Sequence, residues 1–178
     1  MTHLVNEGAL HRLTIGPMIG ALENLEKILQ KSEAHAANLK IEPAVFLGAR
    51  LYPDMFSLIQ QLQYALFLPV DFARHFTNTP APKVGYEEAT FADVYASLKL
   101  AISFLKSVLP LRVDELANSV VPTLFDRSQG LAAETYAAHI IMPDFYFHLT
   151  VAYCILRHNG VPLGKRDLIG ELATVKLG

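Results

Sequence analysis

The chain has 178 residues and a mass of 19.7 kDa, which suits one domain and suffices to bury a core without disulfide or metal staples. Fifteen basic against 17 acidic residues leave a net charge of −2, which argues against a nucleic-acid partner, since that demands a basic face. Hydrophobic residues make up 52% and charged residues 18%, with a mean hydropathy of +0.28; intrinsic disorder is excluded and a membrane span has to be tested.

The longest stretch without Asp, Glu, Lys or Arg lies between Asp54 and Asp71, and it holds Gln60, Gln61, Gln63 and Pro69. A span needs about 20 predominantly apolar residues. The N-terminus carries His3, Asn6 and Glu7 and lacks the basic-then-apolar order of a signal peptide. The expectation is a cytoplasmic chain of one domain over 1–178, with no membrane partner. Its apolar surplus must then lie in a core, a ligand cavity or a subunit interface. The single cysteine, Cys154, excludes an internal disulfide and a multi-cysteine zinc site within one chain.

The first periodic segment runs over about 5–31. Leu22, Leu25, Ile28 and Leu29 recur at helical spacing with Glu23, Glu26 and Lys27 opposite. Gly16-Pro17 predicts a kink or a late start. A short helical turn follows over 42–51. The second helix is predicted over 53–75, with Pro53 at a first helical position. Met55, Leu58, Leu62 and Ala65 form its stripe, Phe56, Ile59 and Leu66 widen it, and Pro69 is expected to bend it.

Pro80, Pro82 and Gly85 mark 77–89 as a loop. Thr90 is a suitable N-cap with Asp93 three residues on, opening a third helix over 90–109 that Pro110 follows. Val120, Val121, Leu124 and Phe125 around Pro122 leave 111–130 as a short strand pair or an ordered loop. The last helix is predicted over 131–158, kinked or divided at Pro143. Asn159-Gly160 suits a left-handed C-cap, with Pro162 after it. The tail, 163–178, has little periodicity. Four helices of about 20 residues joined by loops define an all-α, antiparallel four-helix bundle.

Walker, GxGxxG, HExxH and GxSxG patterns are absent. Seven histidines direct attention to metals, whose ligands in bundles sit at i and i+3 or i+4. Asp144 and His148 share a helix face at i, i+4. They suit a divalent metal, or else Asp144 caps a helix restarting at Pro143 while His148 hydrogen-bonds inside the bundle. Cys154 and His158 share the same spacing, where the cysteine reads as a small hydrophobe and the histidine as a favourable helix end. His139 falls on the face opposite His148.

Arg50, Asp54, Ser57, Gln61 and Tyr64 fall at spacings of four, three, four and three along the second predicted helix. That stripe is a wet edge if it faces solvent and the polar wall of a pocket if it faces inward. Tyr136, Phe145, Tyr146, Phe147 and Tyr153 crowd the last helix, as core, interface or wall for a flat ligand.

Three stretches resemble one family: FYFHLTVAYCILRHNGVPLGKRDLIG over 145–170, KSEAHAANLKIEPAVFLGARLYPDMFSLIQQLQ over 31–63, and YEEATFADVYASLKLAISFL from Tyr86. They are similar to an uncharacterised domain-of-unknown-function family with bacterial and fungal members, grouped with the DinB-like (YfiT-like) metalloenzyme superfamily. The resemblance implies a four-helix bundle, often dimeric. In that superfamily three histidines hold a divalent metal, one from the second helix and two from an HxxxH pair on the last. Carried over by position, His148 matches the second histidine of the pair. Asp144 occupies the place of the first, where this family prefers Asn. The second-helix histidine falls near Gln60 or Gln61. Two of three imidazoles are thus absent, and amide oxygens are poor substitutes.

The expectation for function is therefore a metal-free and cofactor-free bundle, forming a homodimer, that binds a small, largely apolar or aromatic molecule between its helices. Asp54, Gln61, Tyr64, Tyr146 and Tyr153 are its candidate ligand contacts. His148 is the candidate general acid/base for an isomerisation, cyclisation or elimination, oriented by Asp144. The alternatives are a degenerate divalent-metal enzyme for thiol transfer or hydrolysis, and a non-catalytic dimeric interaction module.

Overall fold

Thr14 divides the first helical segment. In a computed structural model that describes residues 8–171, 174 and 176, α1 (Ala9–Leu13) ends at Thr14 and α2 (Ile15–Leu39) begins directly after it. Pro17 thus lies in the first turn of α2, where a missing N–H leaves no bond unmade. This is the late start that Gly16-Pro17 predicted; positions 5–7 of that segment lie outside the described residues. Lys40 closes α2 in the left-handed conformation, φ 55°. The short turn expected over 42–51 is α3 (Ala44–Gly48).

The second long helix, α4 (Leu58–Ala73), starts five residues later than predicted. Pro53 sits in a turn instead of at the helix start. The start is fixed by Ser57, whose backbone N–H and hydroxyl both donate to the Gln60 side-chain oxygen at 3.0 Å. Pro69 lies inside α4, which continues past it into a 3-10 turn over Arg74–Phe76.

Thr90 caps α5 (Phe91–Ser107) as predicted: Asp93 N–H donates to the Thr90 hydroxyl, and Thr90 N–H donates back to the Asp93 carboxylate. Pro110 opens another short helix, α6 (Pro110–Glu115). The connection then forms an antiparallel hairpin, β1 (Val120–Pro122) against β2 (Gly130–Ala132), with Leu124 and Phe125 in its turn and not in a strand.

The last long helical run is continuous over Ala133–His158. It comprises α7 (Ala133–Tyr136), a π-helical turn over Ala137–Ile141 and α8 (Met142–His158). Pro143 therefore does not divide it. The wider π turn lies just where the proline ring would meet the carbonyl four residues back. Gly160, φ +87°, closes the helix with the predicted left-handed residue. The tail contributes α9 (Lys165–Ile169), unforeseen from periodicity, which packs on α2.

The predicted four-helix bundle is formed by α2, α4, α5 and the 133–158 helix. Lys106 pairs with Glu23 at 2.6 Å and the Tyr95 hydroxyl donates to Glu33, so α5 runs antiparallel to α2. Gln61 faces His148 and Phe72 faces Tyr136, so the last helix runs antiparallel to α4. The 77–90 connection returns along α4, where the Gln63 side chain donates to the Glu88 carbonyl at 2.9 Å. It lets α5 start beside the start of α4 and run the same way, as bundles with a long crossover do.

The core includes Leu22, Leu25, Ile28 and Leu29 of α2, Leu62, Leu66 and Phe72 of α4, Leu98 and Leu105 of α5, and Phe145, Leu149 and Ile155 of α8, all buried. Each contributes on the order of 1.5–3 kcal/mol by leaving water. The 133–158 helix is long and apolar enough to cross a membrane by length and composition alone, yet 44% of its most apolar window is buried inside the bundle. It is not the uncharged stretch of α4 that the sequence singled out.

Candidate functional site

Gln61 lies one turn into α4, directly after the Ser57–Gln60 cap, and is buried. Asp144 and His148 lie one turn apart on α8, where their spacing sets them on one face. Because α4 and α8 pack antiparallel against each other, the two faces meet. Of Gln60 and Gln61, it is Gln61 that meets His148, while the Gln60 side chain is spent on the helix cap.

His148 Nδ1 stands 2.6 Å from Gln61 Oε1. The Gln61 amide nitrogen donates to the Phe56 carbonyl over a long 3.4 Å, which leaves its oxygen to accept from Nδ1–H. That fixes the tautomer of the neutral ring, with the bare nitrogen at Nε2. Nε2 lies 3.3 Å from Asp144 Oδ1. Two acceptors face each other there and can share one proton, or jointly receive a donor from a ligand. Burial pushes the His148 pKa down, and the Asp144 carboxylate opposes that without reversing it. The imidazole side chain is 7% exposed and that of Asp144 29%, so the carboxylate is the solvent-side end of the pair.

Aromatic rings cover the imidazole. Tyr64 stacks on it at 4.6 Å and Phe56 lies nearly parallel at 6.2 Å, while Phe147 meets it edge-on at 5.3 Å. Phe56 and Tyr64 also stack on each other at 5.2 Å. All three rings are partly open to solvent, an unusual use of large apolar side chains unless something covers them.

Of the sequence-predicted site residues, the structure brings His148, Asp144, Gln61 and Tyr64 together. Asp54 does not join them: it is exposed in the turn before Ser57, because α4 starts too late to carry it. Arg50 is likewise off the helix, donating to the Met55 carbonyl. Tyr146 points the other way, two residues and about 200° from His148. It lines a cavity of about 600 Å³ with Gly20 and Asn24 of α2 and Leu168 of α9. Tyr153 packs against the core. Asp144 caps nothing, since the helix runs through it and no side-chain cap is formed. Phe56 was missed as a site residue. It precedes the cap in a non-helical segment, where periodicity has no power to place a ring.

The fold and the convergence of one face of α4 with one face of α8 define a DinB-like helical bundle. A solved structure with that description, a DinB family member protein from Shewanella denitrificans, superposes with a TM-score of 0.89 at 30% identity, covering 99% of this chain and 100% of that one. The family described as Domain of unknown function (DUF1993) matches residues 10–169. The chain belongs to that family. No curated protein matches it.

A divalent metal, implied by the DinB-like resemblance, can be tested against the donors present. Among the described residues no three His, Cys, Asp or Glu side chains assemble where they would hold a metal ion. Asp144 and His148 are two donors, and the third place is filled by Gln61, whose oxygen already accepts from the imidazole. The residues do not fit a three-ligand site.

Proposed function

We propose that the protein binds a small, flat, largely apolar molecule against Phe56, Tyr64 and Phe147 and moves a proton on it through His148. One observation carries this reading: a buried imidazole whose Nδ1 is held by Gln61, whose Nε2 faces a carboxylate, and whose surroundings are partly exposed aromatic rings. A neutral imidazole with a free Nε2 is a competent base near neutral pH, and a neighbouring carboxylate stabilises the imidazolium that forms. Reaction types that fit are isomerisation, cyclisation and elimination, each needing one positioned acid/base and no metal. The proposal sets this activity in the cytoplasm, in a homodimer.

Indole and 2-naphthol are suitable neutral probes, followed by backbone amide shifts. Saturable shifts should centre on Phe56, Tyr64, Phe147 and His148, and Tyr64→Ala should weaken binding about tenfold, since a stacked aromatic contact contributes on the order of 1 kcal/mol. If His148→Ala and Asp144→Ala both leave binding and turnover untouched, the assignment fails.

A further inference from the structure

Near the far end of α4 lies a second polar cluster that the His148 site does not use. Asp71 is buried at 5% exposure, and its Oδ1 accepts from two guanidinium groups, Arg74 Nε at 3.0 Å and Arg127 Nη2 at 2.9 Å. Arg74 follows one turn on from Asp71. Arg127 arrives from the β1–β2 turn, where the Asp126 carboxylate accepts from the Ser128 N–H and hydroxyl and holds the turn in shape. The three side chains line a cavity of about 380 Å³ with Phe67, Pro82 and Tyr86.

The charges do not balance. One carboxylate faces two guanidinium groups, leaving a local excess of one positive charge. Each guanidinium spends a single N–H on Asp71, and the side chains remain 42% and 44% exposed. Their other N–H groups have no protein acceptor among the described residues. Burial lowers the pKa of the neighbouring His75, and the Arg74 cation adds to that, with Asp71 pulling the other way and Arg127 contributing least. Phe67 and Tyr86, edge to face at 5.5 Å, supply an apolar wall beside the cationic pair.

We infer that the Arg74–Arg127 pair is an anion site that takes a small carboxylate carried on a flat, largely apolar body. Asp71 is a positioning residue that sets both guanidinium groups from one oxygen. One excess charge matches a monoanion; a phosphomonoester dianion would exceed it. A guanidinium can pair with a carboxylate through two parallel N–H donors, and each of these two has N–H groups left over after its single bond to Asp71. The site is separate from His148: Gln61 and Asp71 are about 15 Å apart along the helix at 1.5 Å per residue, farther than a small ligand spans.

Benzoate, phenyl phosphate and neutral benzamide test this by calorimetry, with side-chain Nε–Hε resonances of the arginines as the local reporter. Benzoate should bind saturably and shift the Arg74 and Arg127 signals, benzamide should bind at least about tenfold more weakly, and affinity should fall with added salt. Arg127→Gln and Arg74→Gln should each weaken benzoate at least about tenfold. The second variant, within a helix, covers the case in which the first releases the hairpin. Benzamide binding as tightly as benzoate, or both variants binding benzoate like the wild type, overturns the site. Phenyl phosphate binding about tenfold more tightly than benzoate overturns the carboxylate assignment.

Discussion

His148 Nδ1 and Gln61 Oε1 stand 2.6 Å apart, a buried hydrogen bond between side chains 87 positions apart in the chain. It joins α8 to α4 and sets which imidazole nitrogen is free. Gln61→Leu should remove the acceptor and leave a buried N–H unsatisfied, lowering stability by about 1–3 kcal/mol in urea denaturation. A loss under about 0.5 kcal/mol would show that the bond contributes no net stability.

Burial depresses the His148 pKa below its ordinary 6.5, and those of His75 and His11 shift the same way for the same main reason. The unfolded chain then binds protons that the folded chain does not, between the lowered values and about 6.5. The stability these neutral imidazoles confer is complete above about pH 6.5 and is lost as pH falls below it. Thermal midpoints should therefore decline from pH 7 to pH 5, less steeply in His148→Gln. A His148 ring resonance titrating above 6.5 would contradict the assignment of burial as the dominant influence.

The donor set also predicts metal behaviour. Protein purified without a histidine tag should carry less than about a tenth of an equivalent of zinc, since two donors do not retain it. Gln61→His combined with Asp144→His places three imidazoles at the meeting of α4 and α8 and should raise zinc to about one equivalent. Elemental analysis of both proteins decides it. A full equivalent in the wild type would restore the metalloenzyme reading.

Gly85 should not tolerate a side chain. Its φ is +82°, and a Cβ there would lie 2.4 Å from the Gln63 carbonyl oxygen and 2.7 Å from Phe67 Cβ. Gly85 N–H also donates to the buried Glu88 carboxylate at 2.8 Å. Gly85→Ala should destabilise by about 2–4 kcal/mol, combining left-handed strain with forced separation of the 77–90 loop from α4. Calorimetric unfolding measures it; a change within about 0.5 kcal/mol would mean the loop moves aside freely.

Periodicity read the bundle well because helix burial is local in origin: a stripe such as Leu22, Leu25 and Leu29 must face a core whatever the partner. Capping chemistry was equally legible at Thr90–Asp93 and at Asn159-Gly160. The same logic misplaced the start of α4. Pro53 is a permissible first residue, but Ser57 with Gln60 is a stronger start, and that choice removed Asp54 and Arg50 from the helix. The π turn before Pro143 was not legible either, because a proline states which bond is missing and not how the neighbouring turn accommodates it.

The family resemblance implied that two of the three superfamily histidines are replaced, and the sequence alone determined that the chain is a mainly helical bundle and that Asp144 and His148 share a face. Spacing along one helix settles such questions, since 3.6 residues per turn is a property of the backbone. Only the tertiary structure decided that Gln61 is the residue facing His148, that Tyr146 lies on the far side, that Phe56 stacks over the imidazole, and that Arg127 reaches Asp71 from the hairpin. Each of these is a contact between segments distant in the chain, fixed by how helices rotate and pack against one another, and no period within a single segment carries that information.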